Sequence, residues 1–363
     1  MAGIMRFSHA VGYRGLCSIK PTGFEKTVLL CTGGSIQLNQ DPIMSGGVWG
    51  AGYANAAPIA YAFNYLSLEG SINFEWVNNS TVWGALKAFA FTDRTDSTEV
   101  HLLPDGVNGF HGNGWCSSIS FEASEGAALT GSMNFKGDPS DEVGGIVSDN
   151  DVRTLGIDKA EKISPMNEIQ RLDNLDTSDK LRFGTGSNGL NLVGATLIPY
   201  WNTKVSCKKS SGDGFDTVDD VINWSCSYNS DLQVLKCCSY GKNLNATTHT
   251  PIGADYILCG EMSGEGSITL FALRESGALS FAPTGFHTRK QYLTFTLGGF
   301  DANDDAPTGI PKSVVIPNAL ISSGSTSMTT GASYITCDYS FTAIGDGVNS
   351  VLQMMDGDYS AGN

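Results

Sequence analysis

Residues 71–80, SINFEWVNNS, and the apolar run 81–91 behind them predict a strand, a cap and a helix. Ser80 is a suitable N-cap, because its hydroxyl can accept a hydrogen bond from an unpaired amide of the first turn. Apolar side chains then recur at the spacing of one helical face, at Val82, Ala85, Leu86, Phe89 and Ala90. The rest of the chain has the pattern of strands and turns, so this unit is the reference point for the fold.

A similar unit returns in the second half of the chain. Residues 222–236 align with 72–86 without a gap and share four of fifteen positions, where chance at ordinary residue frequencies gives roughly one. Ser230 and Gln233 have capping-box spacing, and Leu232 and Leu235 continue as an apolar stripe. The sequence therefore predicts an internal duplication in which each half carries one flanking helix.

The composition and the repeated unit predict a mainly β protein with two duplicated domains. Only 16% of the 363 residues are charged and 44 are glycine, which favours short strands and many turns. Hairpins are predicted at 27–38 and 256–273. The predicted organisation is a first β domain at 1–137, an acidic linker at 138–189, a second β domain at 190–345 and a flexible C-terminal tail at 346–363.

The charge and cysteine content exclude several classes of protein. The 22 basic and 37 acidic side chains give a net charge of −15, which opposes tight nucleic-acid binding because that needs Lys and Arg. The sequence has no run of about 18 apolar residues, so no membrane span is predicted. The first ten residues lack the apolar core of a secretory signal. The nine cysteines are scattered without a CxxC pair, so we interpret them as reduced, packed thiols.

No motif predicts catalysis, a cofactor or a metal ion, and we do not expect an enzyme. The GxGxxG pattern at 184–189 precedes a predicted strand, whereas a phosphate loop needs a helix there. Residues 301–305 begin like a calcium loop, but Ala306 and Lys312 stand where Gly and Glu are needed. The five histidines are dispersed and make no zinc spacing.

The Gly-, Ala- and Pro-rich loop at 39–62 is the candidate interface. It carries Trp49, Tyr53 and Tyr61 and few charges, a composition suited to burial against a protein surface. Two alternatives remain open: the loop lies on its own domain, or it lies on another subunit or the next ring of an assembly.

The closing stretch of the first half, CSSISFEASEGAALTGSMNFKG at 116–137, resembles the major tail tube proteins of tailed bacteriophages. The second half departs through its extra hairpin at 256–273 and a weaker closure, SSGSTSMTTGASYITCDYSF at 322–341. The resemblance implies a structural subunit with two fused tube domains, each a β-sandwich or barrel with one flanking α-helix. Three copies would make a pseudo-six-fold ring, and stacked rings would form the conduit for DNA ejection.

The resemblance also implies the location and partners of the protein. It would belong to the virion tail and be assembled in the cytoplasm of the bacterial host. Its partners would be copies of itself, a tape measure protein, a terminator and, if the tail contracts, a sheath. Double-stranded DNA would pass without specific binding, along an inner wall that we expect to be net negative, with 138–187 on the outside.

Two other classes remain as alternatives. Another virion structural protein, such as a head decoration or tail-tip component, would form a finite oligomer that does not stack. A β-sandwich carbohydrate-binding module or hydrolase would show a pocket of converging aromatic and carboxylate side chains.

Overall fold

The structure is a computed structural model, and it confirms the mainly β prediction. It describes residues 16–24, 27–39, 42–44, 61–63, 67–91, 97–103, 110–137, 197–209, 212–235, 256–271, 273–275, 278–280, 290–299, 311–327, 335–345 and 351–359. The first half contains β1 Leu16–Lys20, β2 Thr27–Leu29, β3 Cys31–Asn39, β4 Pro42–Met44, β5 Tyr61–Phe63, β6 Ser67–Glu75, α1 Ser80–Phe91, β7 Thr98–Leu103, β8 Phe110–Ser124 and β9 Thr130–Gly137.

The second half begins with a 3₁₀ turn, Tyr200–Asn202. Its strands are β10 Thr203–Lys208, β11 Asp216–Thr217, β12 Val221–Leu235, β13 Tyr256–Phe271, β14 Leu273–Glu275, β15 Ala278–Ser280, β16 Lys290–Leu297, β17 Lys312–Ser327, β18 Thr336–Ala343 and β19 Gln353–Asp356. One large antiparallel sheet takes up most of these strands, and β4–β5 and β14–β15 form two small separate ladders.

The predicted helix is present as α1, and its predicted apolar face is buried. Val82, Ala85, Leu86, Phe89 and Ala90 all lie in the core, together with Trp83. The predicted cap is wrong by one residue, because Ser80 is already helical. Asn79 caps the helix instead: its Oδ1 accepts from the amides of Thr81 at 2.8 Å and Val82 at 3.2 Å.

The helix predicted for the second half is wrong, because residues 230–235 belong to β12. Leu232 lies opposite Cys259 and Leu235 opposite Tyr256 in a long ladder with β13. An Asn–Ser pair followed by a few apolar residues fits a cap and a short helix, but it fits an extended strand equally well. The hydrogen bonds of the ladder decide between the two.

Both predicted hairpins are also wrong, because their glycines lie inside strands. β2 and β3 pair with β1 and β6 rather than with each other, and β13 is one continuous strand. At Gly34 a Cβ would lie 2.9 Å from a Leu102 methyl, and at Gly266 it would lie 2.2 Å from the Ser225 carbonyl oxygen. These glycines therefore permit close approach between neighbours and do not make turns.

The C-terminal segment is not a flexible tail over its described part, residues 351–359. β19 pairs with β17, Leu352 is completely buried, and Val351 and Met354 join the core. Lys204 Nζ also lies 2.7 Å from Asp358 Oδ2. The polar composition of the segment concealed these few apolar anchors. The predicted linker at 138–189 lies outside the described residues.

The two halves have the same strand order. The first half is ordered β3-β6-β9-β8-β7-β1-β2, and the second is ordered β12-β13-β18-β17-β16-β10-β11. β3 and β12 come first in these two orders, and β6 and β13 come second. By position in the sheet, β3 therefore corresponds to β12 and β6 to β13. The sequence alignment of 72–86 with 222–236 pairs β6 with β12 instead, and those strands occupy different positions in the order.

Four of the six register irregularities in the described ladders fall at corresponding places in the two halves. They lie between Cys31 and Gly33 in β3, between Val221 and Asn223 in β12, between Cys116 and Ser118 in β8, and between Ile321 and Ser323 in β17. When ladder positions are counted from these irregularities, Ile72 occupies the same position as Ile268, and Phe135 occupies the same position as Phe341. Each Phe lies opposite a glycine of the neighbouring strand.

One face of the sheet is apolar, and each half has an aromatic cluster there. In the first half, Trp76 stacks on Phe121 with the ring centroids 4.8 Å apart. In the second half, Trp224 stacks on Phe295 at 4.6 Å. These rings are fully buried, so the opposite face of the sheet is the one that remains available to solvent or a partner.

Candidate functional surface

The opposite face of the sheet is polar, and we call it the polar face. It includes two rows of directly opposed residues that run across both halves. The first row is Asn73, Ser132, Ser120, Ser227, Glu265 and Thr342. The second row is Glu75, Thr130, Glu122, Ser225, Ser267, Ser340 and Ser323.

Hydroxyl groups on the polar face pair across strands. The Oγ–Oγ distance is 2.7 Å for Ser120 and Ser132 and 2.9 Å for Ser225 and Ser267. Thr269 Oγ1 donates to Asp338 Oδ1 at 2.7 Å. Such cross-strand pairs stabilise register by a few tenths to about 1 kcal/mol each. The face is therefore ordered and hydrogen-bonded while it remains polar.

The polar face is acidic. Its two rows contain Glu75, Glu122 and Glu265, and beyond Thr342 the first row continues to Leu320 and Lys290. Two rows further along the strands, Lys136 lies opposite Glu69, with Nζ and Oε1 3.8 Å apart. An acidic, hydroxyl-rich surface repels phosphate and offers no counterion-release gain for nucleic-acid binding.

A ladder between β8 and β12 joins the two halves, and we call it the seam. It runs from Ser118 opposite Asn229 to Ser124 opposite Asn223. At its end the side-chain oxygen of Asn223 accepts the Glu125 amide at 3.0 Å. The seam makes the strands of the two halves one continuous sheet.

Contacts on either side of the ladder reinforce the seam. Lys136 Nζ donates to the Leu232 carbonyl oxygen at 3.0 Å. On the apolar side, the last residue of α1, Phe91, packs on Tyr228 with ring centroids 4.9 Å apart. On the polar side, the sheet forms a shallow hollow lined by serine, threonine and glutamate side chains from both halves. The junction is thus packed on one face and concave on the other.

Two strand edges have no ladder neighbour among the described strands. β3 pairs only with β6 there, although its counterpart β12 has a neighbour on each side. In β17, pairing with β16 reaches Leu320, and residues 323–327 pair with β18 alone. Residues 322–326 are exposed. Unpaired edges are places where another strand can add.

The predicted interface loop is described only at its ends. Tyr61 lies in β5 and pairs with Met44 of β4, so residues 42–44 and 61–63 form a ladder and not a loop. Trp49 and Tyr53 lie outside the described residues.

A short sequence repeat marks the equivalent strands of the two halves. Residues 69–72 and 265–268 are both Glu-Gly-Ser-Ile, and Ser67 and Ser263 extend the likeness. The sequence analysis missed this signal, which names β6 and β13 as counterparts. The repeated serine makes a cross-strand hydrogen bond in each half. The Oγ–Oγ distance is 2.7 Å for Ser35 and Ser71 and 2.9 Å for Ser225 and Ser267, and the two pairs occupy corresponding positions.

Six cysteines in the described part of the chain are thiols and not disulfide-bonded: Cys17, Cys31, Cys116, Cys207, Cys226 and Cys337. Burial raises the pKa of Cys17 well above its ordinary value. A hydrogen bond from the Cys17 thiol lowers the pKa of Cys31 to about 7. Among the residues that the structure describes, no group of His, Cys, Asp or Glu is placed to hold a metal ion. No helix in that part of the chain is long and apolar enough to cross a membrane.

Comparisons with known proteins give little further information. No protein-family model matches the chain, and no curated protein matches it. Among solved structures, a cryo-EM structure of the anti-feeding prophage cap, described as a tube terminating cap, is 11% identical. The alignment covers 44% of this chain and 91% of that one with a TM-score of 0.28. No conclusion is drawn from a likeness at that level.

Proposed function

We propose that this chain is the structural subunit of a bacteriophage tail tube. In this proposal three copies form a ring and stacked rings form the conduit for DNA ejection. The single observation that carries it is the seam, where strands of two similarly ordered halves continue one sheet. A chain that joins two such units edge to edge already contains one junction of a larger ring, and the resemblance at 116–137 points in the same direction.

The proposal includes an internal duplication. Residues 1–137 and 190–345 are two copies of one β domain, in which β3 corresponds to β12, β6 to β13 and β9 to β18. Matching strand order, matching irregularities and the repeated Glu-Gly-Ser-Ile support this proposal. The two copies differ at α1, which follows β6, because the small β14–β15 ladder follows β13.

The proposal also assigns the polar face to the lumen. Its carboxylates and hydroxyls suit a wall along which DNA slides without adhering. The apolar face, with α1 packed on it, then points outward, and we place the linker 138–189 outside as well. The loop 39–62, with Trp49, Tyr53 and Tyr61, contacts a neighbouring copy or the next ring. The location is the virion tail, assembled in the host cytoplasm with tape measure and terminator proteins.

Electron microscopy of the purified full chain tests the proposal. Stacked rings or tubes with a central channel are the expected result. A finite oligomer that never stacks would favour another virion component, such as a head decoration or tail-tip protein. A monomer that binds oligosaccharide would favour a carbohydrate-binding module or hydrolase, and either result overturns the tube.

Cysteine labelling of assembled tubes tests the lumen assignment. Ser227→Cys lies on the polar face, and Asp219→Cys is the control in the exposed turn before β12. A small maleimide should label both, and a maleimide on a 20-kDa-class polymer should label only position 219. Equal labelling of both positions by the large reagent would place the polar face outside. The unchanged chain provides the background from native cysteines.

A further inference from the structure

We propose that Cys17 and Cys31 form a redox-reactive thiol pair, which small disulfides oxidise to a Cys17–Cys31 disulfide. Cys31 is the thiol that attacks the oxidant, and Cys17 is the thiol that resolves the resulting mixed disulfide. The oxidant is a low-molecular-weight disulfide, of which glutathione disulfide is the example used below. This chemistry is independent of the proposed function, since it needs only the folded first half.

The two sulfurs meet at a corner where the first half closes on itself. The strand order of this half begins with β3 and ends with β1 and β2, yet β2 continues directly into β3 through Leu30. The Leu30 carbonyl oxygen accepts the Glu75 amide at 2.9 Å, which holds this corner beside β6. Among the described strands no ladder joins β1 to β3. A Cys17–Cys31 bond would therefore tie together the two ends of the order.

The two thiols are in hydrogen-bond contact and differ in exposure. Cys17 is completely buried in β1, and its thiol donates to the sulfur of Cys31. Cys31 is half-buried at the start of β3, where its own thiol donates to the Gly33 carbonyl oxygen at 2.9 Å. The other five cysteines whose side chains the structure describes are buried. An oxidant from solvent therefore reaches Cys31 before Cys17, which fixes the order of the two steps.

The surroundings of Cys31 favour its thiolate, the form that attacks a disulfide. The hydrogen bond from Cys17 lowers the pKa of Cys31 to about 7, although partial burial opposes this, and a backbone hydrogen bond from Gly33 adds to the lowering. About half of Cys31 is then ionised at pH 7, against a few per cent of an ordinary thiol. In contrast, burial raises the pKa of Cys17 well above its ordinary value and that of Cys207 to about 11.

The two steps balance in atoms and electrons. The Cys31 thiolate attacks one sulfur of the oxidant, whose S–S bond breaks, and a small thiolate leaves. Cys17 then loses its proton, and its sulfur attacks the Cys31 sulfur and breaks the mixed disulfide. The second small thiolate leaves and takes up the proton. The two protein sulfurs lose two electrons in total, and the oxidant gains them as it becomes two small thiol molecules.

The equivalent corner of the second half has valines in place of the two cysteines. Val205 in β10 occupies the ladder position of Cys17 in β1, and each is followed by Ser, one variable residue and Lys. Val221 occupies the position of Cys31, because the two residues begin corresponding irregularities. Both valines pack in or against the core. Packing of this corner therefore does not require sulfur, and Cys→Val is a substitution that the fold accommodates.

Treatment of the purified full chain with glutathione disulfide tests the pair. The expected product is a Cys17–Cys31 link, found by mass spectrometry of peptides prepared without reduction. Cys17→Val should stop at a mixed disulfide between Cys31 and glutathione, whereas Cys31→Val should leave Cys17 as a thiol. Cys207→Val is the matched control, because it removes a buried thiol elsewhere and should give the same link. A chain that keeps both thiols, or that links Cys31 to a different cysteine, overturns the proposal.

Alkylation by iodoacetamide tests the separate roles of the two thiols. Cys31 should be labelled at least about tenfold faster than Cys17 in the folded chain, because Cys31 is both exposed and ionised. Cys17→Val removes the hydrogen bond to Cys31 and should slow labelling of Cys31 at pH 7 roughly three- to fivefold, since the smaller thiolate fraction is partly offset by higher nucleophilicity. An unchanged rate in Cys17→Val would show that Cys17 does not activate Cys31 and overturns the assigned roles.

Thermal unfolding of the oxidised chain shows whether the native corner accommodates the bond. A disulfide between these residues closes a short loop and restricts the unfolded chain, so oxidation should raise the midpoint of unfolding by roughly 5 °C. Cys31→Val should show no rise after the same treatment. A link that forms only in denaturant, or that lowers the midpoint, would overturn a preformed pair.

Discussion

The two halves share a strand ladder and differ in what covers its apolar face. In the first half, α1 packs on β1, β2 and β8 and buries Leu86 and Phe89. In the second half, the C-terminal segment contributes to the core Val351 and Leu352, which precede β19, and Met354, which lies in β19. The comparison teaches that the cross-strand pairs specify the sheet. The added element can be a helix packed on the sheet or a segment that pairs with β17 as a further strand, provided that it supplies apolar side chains.

The largest expected effects concern these two covers. Leu86→Ala in α1 and Leu352→Ala in the C-terminal segment should each lower the free energy of unfolding by about 2–5 kcal/mol, since both side chains are completely buried. Urea denaturation followed by tryptophan fluorescence measures this. Leu235→Ala is the control, because Leu235 is 41% exposed. If Leu352→Ala behaved like the control, the C-terminal segment would not be a counterpart of the helix.

The next prediction compares equivalent glycines. A Cβ at Gly70 would meet the tip of the Phe135 ring at 2.2 Å, whereas at Gly266 it would meet the Ser225 carbonyl oxygen at 2.2 Å. A ring can shift and a backbone atom in a ladder cannot. Gly266→Ala should therefore cost about 3 kcal/mol of unfolding free energy and Gly70→Ala about 1–2. Adding Phe135→Leu should recover part of the Gly70→Ala loss, and equal costs at the two glycines would contradict this reasoning.

A smaller effect is expected at the cap of α1, the element that only the first half has among the described residues. Asn79→Ala removes the acceptor for two amides and should cost about 1 kcal/mol. Ser80→Ala should be nearly neutral, since the Ser80 side chain is not the cap. Thermal unfolding of the two variants compares them, and a larger loss from Ser80→Ala would restore the cap that the sequence alone predicts.

The smallest effect is a pH dependence in the second half. A hydrogen bond from Lys312, 2.9 Å away, lowers the pKa of Asp356. The pair therefore stabilises the fold above the ordinary carboxyl pKa, and this contribution is lost as pH falls through the lowered value. Asp356 is 65% exposed, so Asp356→Asn should cost under about 1 kcal/mol at pH 7. In acid, where Asp356 is protonated, Asp356→Asn and the unchanged chain should have the same free energy of unfolding.

In the first half, Glu69→Gln at the longer Lys136 pair is the control. It should have no measurable effect at either pH, because both of its side chains are more exposed than Lys312. A pH-independent loss in Asp356→Asn would show that the ion pair is not its cause.

Regular alternation made much of the sheet predictable from the sequence. The strands expected at 99–103, 291–297 and 314–321 are present, and the alternating apolar and polar sequence of 291–297 is typical of a strand. The helix was predictable since five apolar residues lie on one face over three turns. The structure of residues 230–235 was not predictable, because so short a run fits both the helix period and the strand period. Its ladder with β13 decides between them.

Other features could not be predicted because they depend on partners distant in sequence. Gly34 and Gly266 look like turn residues until the neighbouring strands are placed beside them. The sequence predicted the negative net charge of the whole chain but not the polar face, since no local pattern indicates which serines lie opposite each other on neighbouring strands. The sequence alignment of 72–86 with 222–236 pairs β6 with β12, which occupy different positions in the strand order of the two halves.

The seam is a contact within one chain, and this changes its response to dilution. A junction between separate molecules weakens as the protein becomes scarce, whereas the two edges of the seam are tethered. They meet at an effective concentration set by the connecting chain, on the order of millimolar for a flexible connection. Covalent linkage therefore keeps this junction closed in every folded molecule, whatever the number of molecules around it.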